Sequence, residues 1–157
     1  MHKVLLIGFK GKNNSSSMLV ECLSSEYVLL TNSFEGLKRD IDSINADYDC
    51  ILMFGVDKAL SSSVRIEKCA EKTGEKISSV MDPGKLVEAL KQAGVKSYVS
   101  EEPTAYLCNE AYWHVLRKFS GRAVFIHIPT VKYVNEQFLE SMKLAFDLLT
   151  KQNRSDL

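Results

Sequence analysis

The chain has 157 residues, and its 20 Lys and Arg balance 20 Asp and Glu to a formal net charge of zero. With 45% hydrophobic and 25% charged residues it has the composition of a soluble globular protein, long enough to bury a core without disulfides or metals. Zero charge argues against nucleic acid or a membrane surface as partner, and no apolar run reaches the roughly 18 residues of a membrane span.

Apolar segments of two kinds alternate along the sequence. Strand-like runs are expected at Lys3–Phe9, Tyr27–Thr31, Asp49–Gly55, Val64–Cys69, Ser97–Ser100 and Ala123–Ile128. Val4-Leu5-Leu6-Ile7 and Ile51-Leu52-Met53-Phe54 are continuous apolar runs, which suit strands covered on both faces. The first is too short for the apolar part of a signal peptide and reads as a buried strand, so a cytoplasmic location is expected. Helical spacing of apolar residues is expected over Ser15–Ser24, Phe34–Ile44, Gly84–Gln92, Thr104–Phe119 and Asn135–Lys151. This alternation predicts one α/β domain over residues 1–157: an open, mainly parallel (mixed) sheet in a three-layer α/β/α sandwich. Ligands of such sheets sit where strands end, here near Gly8–Ser16, Gly55–Ser63, Ser100–Ala105 and His127–Thr130.

Four segments at these ends carry chemistry. The loop Gly8-Phe9-Lys10-Gly11-Lys12-Asn13-Asn14-Ser15 matches neither glycine-rich phosphate cradle, so no nucleotide cofactor is expected. Cys22, Cys50, Cys69 and Cys108 are 28, 19 and 39 residues apart, which fits no metal or redox pair; no metal is expected. Cys108 falls in the first turn of the helix after Pro103, where the helix dipole would lower its pKa and favour the nucleophilic thiolate. Read alone, it is more simply a buried thiol of an amphipathic helix. His127 ends the apolar strand Ala123–Ile128 just before Pro129, a position suited to a general base or to a core histidine. His114 lies six residues beyond Cys108, about 240° around the helix, and faces away; His2 is at the N-terminus. Alternation in Val64-Arg65-Ile66-Glu67 puts Arg65 and Glu67 on one face, where Glu67 could orient a histidine or simply pair with Arg65.

Together these segments resemble the type I pyroglutamyl peptidases, or pyrrolidone-carboxylate peptidases. Ser100, Tyr106, Cys108 and Asn109 match the family's S-x-x-A-G-T-Y-x-C-N around its nucleophile. Phe125-Ile126-His127-Ile128-Pro129 is similar to F-I-H-V-P, and Val64-Arg65-Ile66-Glu67-Lys68-Cys69-Ala70 resembles I-T-x-E-R-x-A. The opening Val4–Phe9 resembles the family's first strand and G-F. The resemblance implies a cytosolic thiol protease with Cys108 as nucleophile, His127 as base and later acid, and Glu67 holding the imidazole tautomer. Phe9 would stack on a pyroglutamyl ring, with Asn14 and Tyr106 also at the substrate. The reaction would remove an N-terminal pyroglutamate from a small peptide through a thioester, the helix N-terminus at Cys108 binding the oxyanion. A homo-oligomer rests on the resemblance alone. The sequence departs from the pattern at Lys10–Asn14, which lacks the family's second aromatic, and at Ser61, where the family has arginine. A cysteine amidohydrolase acting on another small substrate, or a non-catalytic binding domain, remain the alternatives.

Overall fold

The computed structural model describes residues 3–155, with side chains described through residue 151; His2 lies outside them. In chain order the elements are β1 (Val4–Phe9), α1 (Ser15–Leu23), β2 (Tyr27–Leu30), α2 (Phe34–Asp42), β3 (Cys50–Val56), β4 (Ser63–Glu67), β5 (Cys69–Lys72) and β6 (Glu75–Ser78). They continue as α3 (Pro83–Gln92), β7 (Lys96–Ser100), α4 (Tyr106–Lys118), β8 (Ala123–Ile128) and α5 (Glu136–Ser155). Six strands form one sheet in the order β2-β1-β3-β8-β4-β7. β2, β1, β3 and β8 are mutually parallel, whereas β4 runs antiparallel to β8 and parallel to β7. The sheet is therefore mixed and mainly parallel. Among the described residues no helix is long and apolar enough to cross a membrane.

Strand alternation divides the core into two layers. Leu6, Leu52, Phe54, Val64, Ile66, Val124, Ile126 and Ile128 face α1, α3 and α5. Leu5, Ile7, Phe9, Ile51, Met53, Ala123 and Phe125 face α2 and α4. The three-layer α/β/α sandwich follows, because a parallel strand buried on both faces needs helices on both.

Local chemistry sets the helix ends. Asn14, Ser33 and Asp82 cap α1, α2 and α3 by accepting hydrogen bonds from Ser16 N, Gly36 N and Gly84 N. Pro83 opens α3, and Gly94, at a φ of 81°, ends it. α4 differs: its N-cap is Ala105, which offers no side-chain bond. Its first residue, Tyr106, has a φ of 59°, a conformation that costs a residue with a side chain about 1–3 kcal/mol.

The run expected as one strand over Val64–Cys69 breaks at Lys68. Beyond it, β5 and β6 form a hairpin closed by Thr73 and Gly74, both at positive φ. This hairpin packs on α4, and Asn109 fixes it from both sides: Glu71 N donates to Asn109 Oδ1 at 3.0 Å, and Asn109 Nδ2 donates to Glu71 O at 2.7 Å.

Candidate active site

The sheet's register assembles the site. Gly55 pairs with His127, His127 with Arg65, and Arg65 with Tyr98, which places these four on one row across β3, β8, β4 and β7. Ile7 pairs with Met53, so two residues further along Phe9 extends the row on β1. The whole row faces the α2–α4 layer.

His127 is buried, with 3% of its surface exposed, and its Nδ1 lies 2.9 Å from Oε1 of the equally buried Glu67. A carboxylate at that distance accepts the Nδ1 proton, which leaves Nε2 as the acceptor nitrogen of the neutral ring. The rings of Phe125 and His127 lie 4.7 Å apart, and Phe125 also contacts Tyr112 and Phe9 at 5.7 and 6.4 Å. The hydroxyl of Tyr112 donates to the backbone oxygens of Glu67 and Ala123 at 2.9 and 3.4 Å, and so ties β4 to β8 at the base of the site.

Cys108 enters from above, in the first turn of α4. A β-carbon placed on Gly55 would lie 3.1 Å from Cys108 Sγ and 2.6 Å from Cζ of Phe125. The sulfur therefore sits over Gly55, and its seat exists because that strand position has no side chain. Gly55 is the partner of His127 on the adjacent strand, about 4.8 Å away.

The electrostatics reverse one expectation. Burial pushes the Cys108 thiol up to about 12, and the carboxylates of Glu67 and Asp57 add to this while Arg65 opposes it. The helix end does not prevail because the thiol is largely withdrawn from water and outnumbered by anions. Cys108 therefore rests as a thiol, and its proton must leave as it attacks.

A second charged group, missed in the sequence as part of the site, borders this arrangement. Arg65 Nε donates to Glu67 Oε1 at 2.6 Å, Arg65 Nη1 meets Asp57 Oδ2 at 2.7 Å, and Arg65 Nη2 lies 3.3 Å from His127 Nδ1. Glu67 thus both orients the histidine and pairs with arginine, where sequence reasoning set these as alternatives. Glu67 Oε2 is buried and has no hydrogen-bond partner among the described residues.

The residues expected at the substrate are spread around this centre. Phe9 is 5% exposed and turned into the core against Phe125, so it forms a wall with little ring face to offer. Asn14 Oδ1 accepts from Ser16 N at 2.9 Å and Ser16 Oγ at 2.6 Å, contacts that fill its acceptor capacity and shape the loop. Tyr106 is 87% exposed at the mouth of α4. His114 bonds Glu110 at 3.0 Å on the outer side of α4, away from the row. Among the described residues no group of three or more His, Cys, Asp and Glu could hold a metal.

Solved structures share this architecture from end to end. A pyrrolidone carboxyl peptidase from Thermococcus litoralis superposes with a TM-score of 0.76 at 18% identity, covering 100% of this chain and 97% of its own. This chain has the pyrrolidone carboxyl peptidase fold. Pyroglutamyl peptidase I from Bacillus amyloliquefaciens gives 0.76 at 19% identity over 95% and 93% of the two chains. The pyrrolidone carboxyl peptidase of Fervidobacterium islandicum AW-1 gives 0.73 at 19% over 99% of each. No family model and no curated protein matches the sequence. The pyrrolidone carboxyl peptidase fold is thus preserved at a sequence distance where the fold alone is carried over.

Proposed function

We propose that this chain is a cysteine hydrolase of the pyroglutamyl peptidase family, with Cys108 as nucleophile, His127 as general base and acid, and Glu67 as the carboxylate that orients His127. One observation carries this reading: the buried 2.9 Å contact from His127 Nδ1 to Glu67, with Cys108 Sγ seated over the neighbouring strand position. Nucleophile, base and orienting group come from three elements and converge on one face, as nucleophilic catalysis requires.

The chemistry follows from the protonation states. As Cys108 Sγ bonds to the acyl carbon, its proton passes to His127 Nε2 and the carbonyl π pair moves to oxygen. The backbone N–H groups in the first turn of α4, which no side chain caps, are placed to donate to that oxyanion. Glu67 stabilises the imidazolium that forms. Collapse of the adduct expels the amine, which takes the proton from His127. Water then hydrolyses the thioester with His127 again as base.

In this reading the substrate is a peptide with an N-terminal pyroglutamate, held between the Phe9 wall and the exposed Tyr106, with Asn14 fixing the loop behind. The inward turn of Phe9 favours one second reading, a cysteine amidohydrolase for another small acyl group. The test is release of aminomethylcoumarin from its L-pyroglutamyl, L-prolyl, L-alanyl and N-acetyl-L-alanyl amides. We expect the pyroglutamyl amide to react at least about 100-fold faster than the rest, the scale on which a site built for one substrate's polar groups discriminates. Release from another amide alone transfers the assignment to the second reading, and release from none overturns hydrolysis.

A further inference from the structure

We propose that Arg65 is a positioning residue: it holds Glu67 Oε1 on the Nδ1 side of His127 and supplies the cation that balances that carboxylate. Nδ1 is thereby held to Glu67, and Nε2 is left free for the thiol. The proposal rests on the reading of His127 as the base and goes beyond it, since the family pattern quoted above has threonine at the position of Arg65.

The geometry is fixed from two sides. Arg65 Nε and His127 Nδ1 converge on the same oxygen, Glu67 Oε1, at 2.6 and 2.9 Å, while Oε2 has no partner. A carboxylate that used its oxygens separately would satisfy both, so sharing one oxygen reflects where Arg65 is held. Asp57 holds it. Asp57 Oδ2 pairs with Arg65 Nη1 at 2.7 Å, Asp57 Oδ1 accepts from Ala59 N at 2.8 Å, and Asp57 N donates to Ile128 O at 3.0 Å. The guanidinium is thereby anchored to the end of β3 and to β8 itself. On its other side lies Tyr98, its partner on β7. Burial works against ionisation of Asp57, but the Ala59 N–H and Arg65 outweigh it and hold Asp57 below the usual carboxylate range.

The charges around the ring then have definite signs. His127 meets Glu67 and Arg65 from β4 and the charge of Asp57 from the turn after β3, while Cys108 of α4 sits over Gly55, the neighbouring position on β3. Arg65 Nη2 is 3.3 Å from Nδ1, so its positive charge opposes a second proton on the ring, while Glu67 and Asp57 favour one. Removing Arg65 leaves two anions uncompensated and makes the ring more basic. Removing the charge of Asp57 leaves Arg65 balanced by Glu67 alone and makes the ring less basic.

The experiment is an NMR titration of the His127 ring in the full chain, with His114 as internal reference. In Arg65→Met the midpoint should rise by about one unit or more, and in Asp57→Asn it should fall. Arg65→Lys, which keeps the cation, should stay closer to the unsubstituted protein than Arg65→Met does. Unchanged midpoints, or movement of both in the same direction, would overturn the proposal. Should Arg65→Met fail to fold, Arg65→Gln, which removes the cation and keeps an N–H donor, takes its place: a rise upholds the proposal, and no rise overturns it. The ring titration needs no substrate. Opposed shifts without pyroglutamyl cleavage would therefore sink the substrate reading and spare Arg65, while cleavage without the shifts would do the reverse.

Discussion

Replacing Cys108 with alanine should lower hydrolysis of the preferred amide by at least about three orders of magnitude, the size of effect seen when a covalent nucleophile is removed. The fold should survive. The sulfur sits over Gly55 at the top of the α4–sheet interface, and the change deletes one buried atom without stranding a polar partner. Melting temperature should thus stay within a few degrees while turnover disappears. Turnover at an undiminished rate in the variant would remove Cys108 from the mechanism. Cys22, Cys50 and Cys69 give the contrast. Cys22 is exposed, Cys50 lies against Met81 at 3.5 Å, and Cys69 donates to Glu101 O at 3.1 Å. Cys22 and Cys50 lie away from the row of Gly55, His127 and Arg65, and replacing either with alanine should leave kcat unchanged.

Glu67→Ala should damage both stability and rate. It strands His127 Nδ1 in a buried site and takes from Arg65 one of its two carboxylates, although Asp57 still holds the guanidinium. Together these should cost on the order of 3 kcal/mol, or roughly 6–12 °C in melting temperature for a chain of this size. Glu67→Gln separates the two effects. Its amide oxygen can still accept from His127 and Arg65, and its NH2 falls where Oε2 has no partner, so most of the stability should return. The charge that stabilises the imidazolium does not return, and kcat should stay at least about 100-fold down. A glutamine variant with full activity would show that the charge of Glu67 is not used in catalysis.

The parts of this arrangement legible in the sequence are those that periodicity governs. Continuous apolar runs mark β1 and β3 as strands buried on both faces, and the alternation of Arg65 and Glu67 correctly places both on one side of β4. Strand direction was not legible, because alternation is the same whichever way a strand runs; β4 and β7 run parallel to each other and opposite to the other four strands of the sheet. The β5–β6 hairpin was missed because its strands are short and rich in Glu and Lys. Its only local signal is the Thr73-Gly74 turn.

The site divides in the same way. Cys108, His127 and Glu67 carry reactive side chains at element ends, and a residue type in such a place can be suspected before the fold is known. Gly55, Phe125 and Tyr112 act by shape and by backbone contact, which depend on register between β3 and β8 and on how α4 lies across them. Arg65 was visible as a neighbour of Glu67, but the burial that turns a surface pair into part of the histidine's environment is a property of the packed sheet. The rise in the Cys108 thiol has the same origin: the helix dipole is local, whereas the desolvation and the two carboxylates that outweigh it arrive through tertiary contacts.

The central claim is that Cys108 attacks a pyroglutamyl carbonyl. It is tested most directly by 13C NMR of the protein with L-pyroglutamyl aldehyde labelled at its carbonyl carbon, since attack by a thiol converts that carbon to a hemithioacetal. A bound hemithioacetal resonance in the unsubstituted protein that vanishes in Cys108→Ala is the predicted result. Free aldehyde and its hydrate alone, or a bound resonance that persists in Cys108→Ala, would contradict it.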